Sequence, residues 1–386
     1  MDRIPIEIHS LIFSYACTDD GTTGRALSYV SRHIRHTSAP FRFISLSVSG
    51  IKQARGFLAQ LQHLQPSARP SYPIYHLFLS TRPPSLAADD YPVQFAPPTE
   101  WVTCQAAILR YAAPTLCTLT FASFDLNDTV CVAEVLAVSL PRLVELTIRA
   151  RCSPAQLHLP VVPRPPSQSN PDLDASLQRT AEHVHPRPSL RRVHLACAFH
   201  GFATGTSNLH SLLRIIAPSS GLTHLRLSIL DMWGARRVAE VLHAELAARG
   251  IVSSVLELTP LPRDVPVLWV AKEVTWKPVL PGADLDQHSN GAAAEDAQDR
   301  ADRSYDSLER FVLQPPPTAL TDFFCSCCME LRGDVDVMRV FEALACDASE
   351  RGGARFGYMR PKRGGYGYAE ALRDWRERIA DKGGCW

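Results

Sequence analysis

The densest group of chemistry-bearing side chains is Cys325-Ser326-Cys327-Cys328, followed by Cys346. Structural zinc wants four ligands arranged as two C-x2–4-C pairs, and the second pair is missing, so these cysteines read as ordinary thiols and no metal is expected. His194-Leu195-Ala196-Cys197 with His200 brings imidazole near thiol, as an activated cysteine nucleophile requires. His194, however, falls at an outward strand position, and no orienting group or oxyanion donor can be argued for it. Arg351-Gly352-Gly353 and Arg363-Gly364-Gly365, with Tyr358, Tyr366 and Tyr368, combine cations with stacking rings in the manner of single-stranded RNA binders. Two isolated copies diluted by neighbouring acids do not sustain that reading. P-loop, G-x-G-x-x-G and H-E-x-x-H signatures are absent. The chain is therefore expected to be non-catalytic, without cofactor or metal, and without a nucleic-acid partner.

Composition sets the frame for the elements. The chain has 386 residues, 46% hydrophobic and 20% charged, with a formal net charge of +1. That length accommodates two or three domains or one repeat array with a sizeable core, and that charge calls for no polyanion. The 30 prolines bunch, which implies short connections and irregular segments. The 11 cysteines are odd in number and irregularly spaced, unlike a secreted disulfide framework. The opening Met1–Glu7 lacks the apolar core of a signal peptide, and no apolar run approaches the roughly 20 residues of a membrane helix. A reducing cytoplasmic or nuclear location, with no membrane partner, is the expectation.

The first forty residues predict two helices. Ile8, Leu11, Ile12, Tyr15 and Ala16 recur at helical spacing, and Pro5 suits a first turn. Asp19-Asp20-Gly21 reads as a turn, with Thr22 or Thr23 as the cap of a second helix in which Leu27, Val30 and Ile34 share a face. Two such helices cannot bury their stripes on each other and need a third surface. Periodicity alone allows the hairpin to be a cap on the domain C-terminal to it.

The residue string adds to this. Ile4-Pro5-Ile6-Glu7-Ile8-His9-Ser10-Leu11-Ile12-Phe13, with Val30-Ser31-Arg32 after it, resembles the two blocks of the F-box, in the variant of a large fungal F-box family. The resemblance covers about residues 3–48, and the aromatic usual shortly after the arginine is Ile34 here. It implies a module that docks a Skp-type adaptor and through it a cullin–RING ubiquitin ligase. Ile4, Pro5, Ile8, Ile12, Leu27 and Val30 would be the adaptor contacts.

Behind the hairpin an apolar-x-x-apolar-x-apolar template recurs. It appears at Phe43/Leu46/Val48, Ile74/Leu77/Leu79, Leu116/Leu119/Phe121, Leu143/Leu146/Ile148, Leu190/Val193/Leu195 and Leu222/Leu225/Leu227, with a worn copy at Ser253/Leu256/Leu258. The last two positions alternate along a strand. Helix patterns intervene, such as Val132/Val135/Leu136/Leu140, Leu209/Leu212/Leu213/Ile216 and Val238/Val241/Leu242/Leu246. Spacing of about 30 residues, with two longer gaps holding the proline-rich Thr81–Glu100 and Ser153–Ala175, resembles a degenerate leucine-rich-repeat solenoid. An irregular α/β layer satisfies the same pattern.

The expected fold is thus mixed α/β: an F-box-like helical hairpin over 1–42, a strand–helix solenoid over 43–262, and a C-terminal cap and tail over 263–386. Within the tail, 282–303 should be disordered, and Tyr305/Leu308/Phe311/Val312 and Val337/Val340/Phe341/Leu344 read as amphipathic patches. The ending, with Asp374-Trp375-Arg376-Glu377-Arg378, resembles the tail of the same fungal family but carries no readable mechanism. Function should reside in binding. The hairpin would meet the adaptor, and the concave strand face and the insertions would meet an unknown target protein. The alternative is a repeat scaffold whose F-box has become a mere N-terminal cap.

Overall fold

The computed structural model describes residues 4–64, 72–83, 99–125, 128–151, 189–197, 221–230, 238–239, 243, 310–315, 340–344, 346, 356–359 and 366–380. The chain is a mixed α/β protein whose strands pair in parallel. It divides into two compact units. Met1–Arg151 and Gly367–Cys385 belong to the first, and Pro188–Tyr366 to the second. The hairpin falls within the first unit, as does the helix at Tyr368–Ile379.

In the first unit, helices α1 (Ile6–Ala16), α2 (Thr22–Val30) and α3 (Arg32–Ser38) precede β1 (Ser45–Ser49) and α4 (Gly50–Leu64). Then come β2 (His76–Ser80), α5 (Thr99–Ala112), β3 (Thr118–Ala122), α6 (Thr129–Ala137) and β4 (Glu145–Ala150). The template positions stack in register. Leu46, Leu77, Leu119 and Leu146 form one row across the four strands, and Val48, Leu79, Phe121 and Ile148 the next. Because side chains alternate along a strand, both rows lie on one sheet face, with their α4–α6 counterparts Ala54, Phe57, Leu61, Ile108, Leu109, Val132 and Val135 also buried. Ile74, Leu116 and Leu143, the first template positions, are wholly buried just ahead of their strands. The one large polar intruder is satisfied: Gln105 accepts from Trp101 Nε1 at 3.0 Å and donates to the Cys131 carbonyl at 2.8 Å, tying α5 to α6. Helix α6 stops at Ala137, short of the expected Pro141, and Leu140 is buried beyond its end.

The opposite face carries mostly hydroxyls, in the rows Ser45–His76–Thr118–Glu145 and Ser47–Phe78–Thr120–Thr147. It is covered by the last helix, α7 (Tyr368–Ile379). Tyr368 and Trp375 pack on Phe78 with ring centroids 5.5 and 5.7 Å apart, and Tyr368 Oη lies 2.9 Å from Ser49 Oγ. Arg378 forms a buried ion pair with Glu145 at 2.7 Å and donates to Thr147. The strand face expected to lie open to a target is covered here. In this unit the tail is a helix, and it sits on that face.

The second unit contains β5 (Arg192–Cys197), β6 (His224–Ile229), β7 (Arg310–Gln314) and β8 (Phe356–Tyr358), again parallel. Val193, Leu225 and Phe311 make one row, and Leu195, Leu227 and Leu313 the next. The neighbour of β6 is thus Arg310–Gln314, a stretch that reads in the sequence as an amphipathic patch. The worn template at Ser253, the helix at Leu209–Ile216, the insertions beyond Pro83 and Ser153, and 282–303 lie outside the described residues. Val238, Ala239 and His243 are helical, as are Val340–Leu344, in which Phe341 and Leu344 are wholly buried.

Burial beside the hydroxyl-rich face pushes the His76 imidazole down to about 4. Below pH 6.5 the unfolded chain takes up a proton that the folded chain refuses. Stability should therefore be level above about pH 6.5 and fall as pH drops toward 4, by up to roughly 3 kcal/mol from this group. Urea midpoints measured from pH 7.5 to 4 should show this fall, and His76→Gln should flatten it.

Candidate functional site: the outward face of the N-terminal hairpin

Helix α1 is two-sided. His9, Phe13 and Cys17, one turn apart, face the protein and are buried, with His9 stacked on Phe13 at 5.9 Å and edge-on to His33 of the third helix at 5.7 Å. The stripe predicted from periodicity, Ile8, Leu11, Ile12 and Tyr15, faces outward instead. Ile8 is 45% exposed and Ile12 49%. Pro5 starts the helix, its carbonyl accepting from the amides of Ile8 and His9 at 3.1 and 3.2 Å.

The connection to α2 is capped by carboxylates rather than by Thr22 or Thr23. Asp19 accepts from the Gly21 and Thr23 amides at 2.9 and 2.8 Å, and Asp20 from the Thr22 amide at 3.3 Å. Anions at this end also complement the helix dipole. Gly21 holds φ +89°, where a side chain would be strained and where a Cβ would meet Leu46 at 3.0 Å. Gly24 lets α2 lie against the chain at Arg42, since a Cβ there would sit 2.8 Å from the Arg42 carbonyl oxygen. The same loop is bonded to β1: Ser47 N–H donates to the Asp20 carbonyl at 3.2 Å, and Ser45 Oγ to the Asp19 carbonyl.

The predicted second helix is broken at Ser31. This residue is extended, and its Oγ accepts from the Ile34 amide at 3.1 Å, starting α3. The break separates positions expected to share a face: Val30 is 61% exposed, Leu27 is half-buried and Ile34 is 5% exposed. Ile34, the departure from the family pattern, is thus a core residue of the hairpin rather than part of its outer surface.

Ile4, Ile6, Ile8, Leu11, Ile12, Tyr15, Tyr29 and Val30 are exposed, and Pro5 with them. Apart from Val130 and Val144, they are all the exposed large apolar side chains among the described residues. Such a concentration is unlike the scattered single apolar side chains of an ordinary surface. Around it Arg25, Arg32, His33, Arg35 and His36 are exposed, while the only exposed acid among the described residues of the hairpin is Glu7. Of the six positions proposed from the family resemblance, Ile4, Pro5, Ile8, Ile12 and Val30 lie on the open surface, and Leu27 only in part. Ile6, Leu11, Tyr15 and Tyr29 belong to it as well, and the helical stripe already contained Leu11 and Tyr15.

The other candidate chemistry falls differently. His194 and Cys197 alternate onto opposite faces of β5, so they cannot form a nucleophilic pair, and His200 lies outside the described residues. His194 is not outward but wholly buried. Its Nε2 lies 2.9 Å from Ser228 Oγ, and Ser228 donates to Gln314 Oε1 at 3.0 Å, which also accepts from Arg226 Nη2 at 2.7 Å. With its single proton given to Gln314, Ser228 must accept from His194 Nε2, so this nitrogen has no lone pair to activate the hydroxyl. Tyr366 packs edge-on to His194 at 4.7 Å. Burial, aided by Asp19, pushes the Cys17 thiol up to about 11, and burial likewise raises Cys104, Cys117 and Cys131, which makes these thiols poor nucleophiles. Cys325, Cys327 and Cys328 lie outside the described residues, as do Arg351 and Arg363. Among the described residues no group of three or more His, Cys, Asp or Glu could hold a metal ion, and no helix is long and apolar enough to cross a membrane.

The two stripes of the hairpin should separate by mutation. Ile34→Ala should cost about 2–5 kcal/mol in urea unfolding. Ile12→Ala on the outward face should stay within about 0.5 kcal/mol of the parent.

Comparison of the chain with protein-family models, with curated proteins and with solved structures finds no match in any of the three.

Proposed function

We propose that the chain is a non-catalytic substrate receptor of a cullin–RING ubiquitin ligase. The outward face of α1 and α2 docks a Skp-type adaptor, and the strand–helix units form a degenerate leucine-rich-repeat-like solenoid that presents a target protein. The observation that carries this reading is the exposed apolar side chains on the segment that resembles the F-box, with five of the six family-derived contact positions among them. Buried side chains of this size contribute roughly 1.5–3 kcal/mol each by area, although association costs offset much of the sum. The exposed arginines and histidines around it favour an adaptor surface with an acidic flank. Ligase chemistry belongs to other subunits, and the cytoplasm or nucleus is the fitting location.

A second reading is supported by one specific contact. Hydrogen bonds from Ser45 and Ser47 to the α1–α2 loop close the free edge of β1, which is what an N-terminal cap does. A cap alone, however, gains nothing from an outward stripe of isoleucines.

Full-length protein should capture a purified Skp-type adaptor, and the double substitution Ile8→Asp with Val30→Asp should weaken capture by about a hundredfold or more. Both positions are exposed, so folding should be unchanged by circular dichroism. Undiminished capture would contradict the assigned face. Absence of capture by the unsubstituted chain would leave the cap reading.

A further inference from the structure

Helix α7 has the anatomy of a ligand. Tyr368, Ala371, Asp374 and Trp375 face the sheet and are buried, while Ala369, Arg373 and Arg376 lie toward the outer side. It is self-contained as a helix: Glu370 accepts from the Gly367 amide at 3.2 Å, and Arg376 and Arg378 occupy its last turn, where the dipole favours cations. Its seat differs from an ordinary core. The face under α4–α6 is aliphatic, whereas the strand face under α7 presents Ser45, Ser47, Ser49, Ser80, Thr118, Thr120 and Thr147, with His76 and Glu145, around Phe78, and Phe124 just past β3 adds a second ring 6.2 Å from Tyr368. A hydroxyl-rich face tolerates water where an aliphatic one does not. Docking also leaves Trp375 Nε1 and Thr120 Oγ1 buried without a hydrogen-bond partner among the described residues. Both would regain water on release, so the docked state is not fully satisfied.

Recognition is nonetheless specific. The guanidinium of Arg378 is held between Glu145 and Thr147, and Arg376 reaches Asp20 in the loop that caps α2. The Asp20 carboxyl is raised by burial but lowered further by its bonds to Thr22 and Arg376, so it stays ionised to receive that cation.

From this geometry we propose that the hydroxyl-rich face of β1–β4 is a helix-docking groove, held shut in the free protein by the chain's own C-terminal helix. The partner it fits is an amphipathic helix with the pattern aromatic-x-x-small-x-x-x-aromatic-x-x-Arg, which displaces α7 by making the same contacts. Under the receptor reading this partner is the target, and the inference rests on that reading only for the partner's identity. Tethering gives α7 a high effective concentration, so a competitor must bind well or the tether contacts must first be weakened.

The test uses full-length protein and a fluorescein-labelled synthetic peptide of residues 367–380. Three proteins are titrated by anisotropy: the unsubstituted chain, Arg378→Glu, and the charge-swapped Glu145→Arg/Arg378→Glu. The Arg378→Glu protein should bind the peptide at least tenfold more tightly than the unsubstituted chain, because its own helix is weakened while Glu145 remains to receive the peptide. The swapped double variant should exclude the peptide again. A folded Arg378→Glu protein that takes up no peptide overturns the proposal, as does equal uptake by the swapped variant. Unfolding of both Arg378→Glu and the milder Arg378→Gln would make α7 an inseparable core element and also overturn it. Adaptor capture, read on the same samples, should be level in all three, so loss of capture throughout would count against the adaptor reading and leave the peptide result standing.

Discussion

A parallel sheet needs cover on both faces and at its edges, from its own chain or from a partner helix that takes its place, and the first unit is organised around that constraint. Helices α4, α5 and α6 cover the aliphatic face. The opposite face and the β1 edge are covered by segments from the two ends of the chain. Helix α7 lies on the hydroxyl-rich face through Phe78, Glu145 and Thr147, and the α1–α2 loop bonds to β1 through Ser45 and Ser47. Arg376 and Asp20 then join these two coverings to each other. With the sheet closed, the outward side of the hairpin is left as the large apolar surface uncovered among the described residues.

How much of this is legible in the sequence depends on how each element is stabilised. The strand rows are legible because one face of each strand is aliphatic at period two, so Leu46, Leu77, Leu119 and Leu146 align before any pairing is known. Strand β7 reads only as part of an amphipathic patch because Phe311, Val312 and Leu313 form a short continuous apolar run, in which period two and helical spacing cannot be told apart. Helix α7 is hidden because its outer face is charged, and its inner one needs only Tyr368, Ala371 and Trp375, whose partner sheet lies far away in sequence.

The hairpin shows the same division at closer range. Periodicity locates the apolar stripe of α1 but does not say which way it faces. The inner stripe of His9, Phe13 and Cys17 contains two residues that do not register as hydrophobic anchors. The break at Ser31 is a local competition: a serine that accepts from the Ile34 amide makes a better start for α3 than a continuation of α2. Once the break is placed, Ile34 turns inward, and a residue that departs from the pattern the hairpin resembles becomes part of what holds its helices together.

The outward face of the hairpin is the centre of the account, and hydrogen–deuterium exchange of the full-length chain with and without a Skp-type adaptor probes it most directly. Added protection should be confined to α1 and α2, with the amides of β1–β4 and α7 unchanged. Protection centred on the strands or on α7 with the hairpin unaffected, or no protection at saturating adaptor, would contradict it.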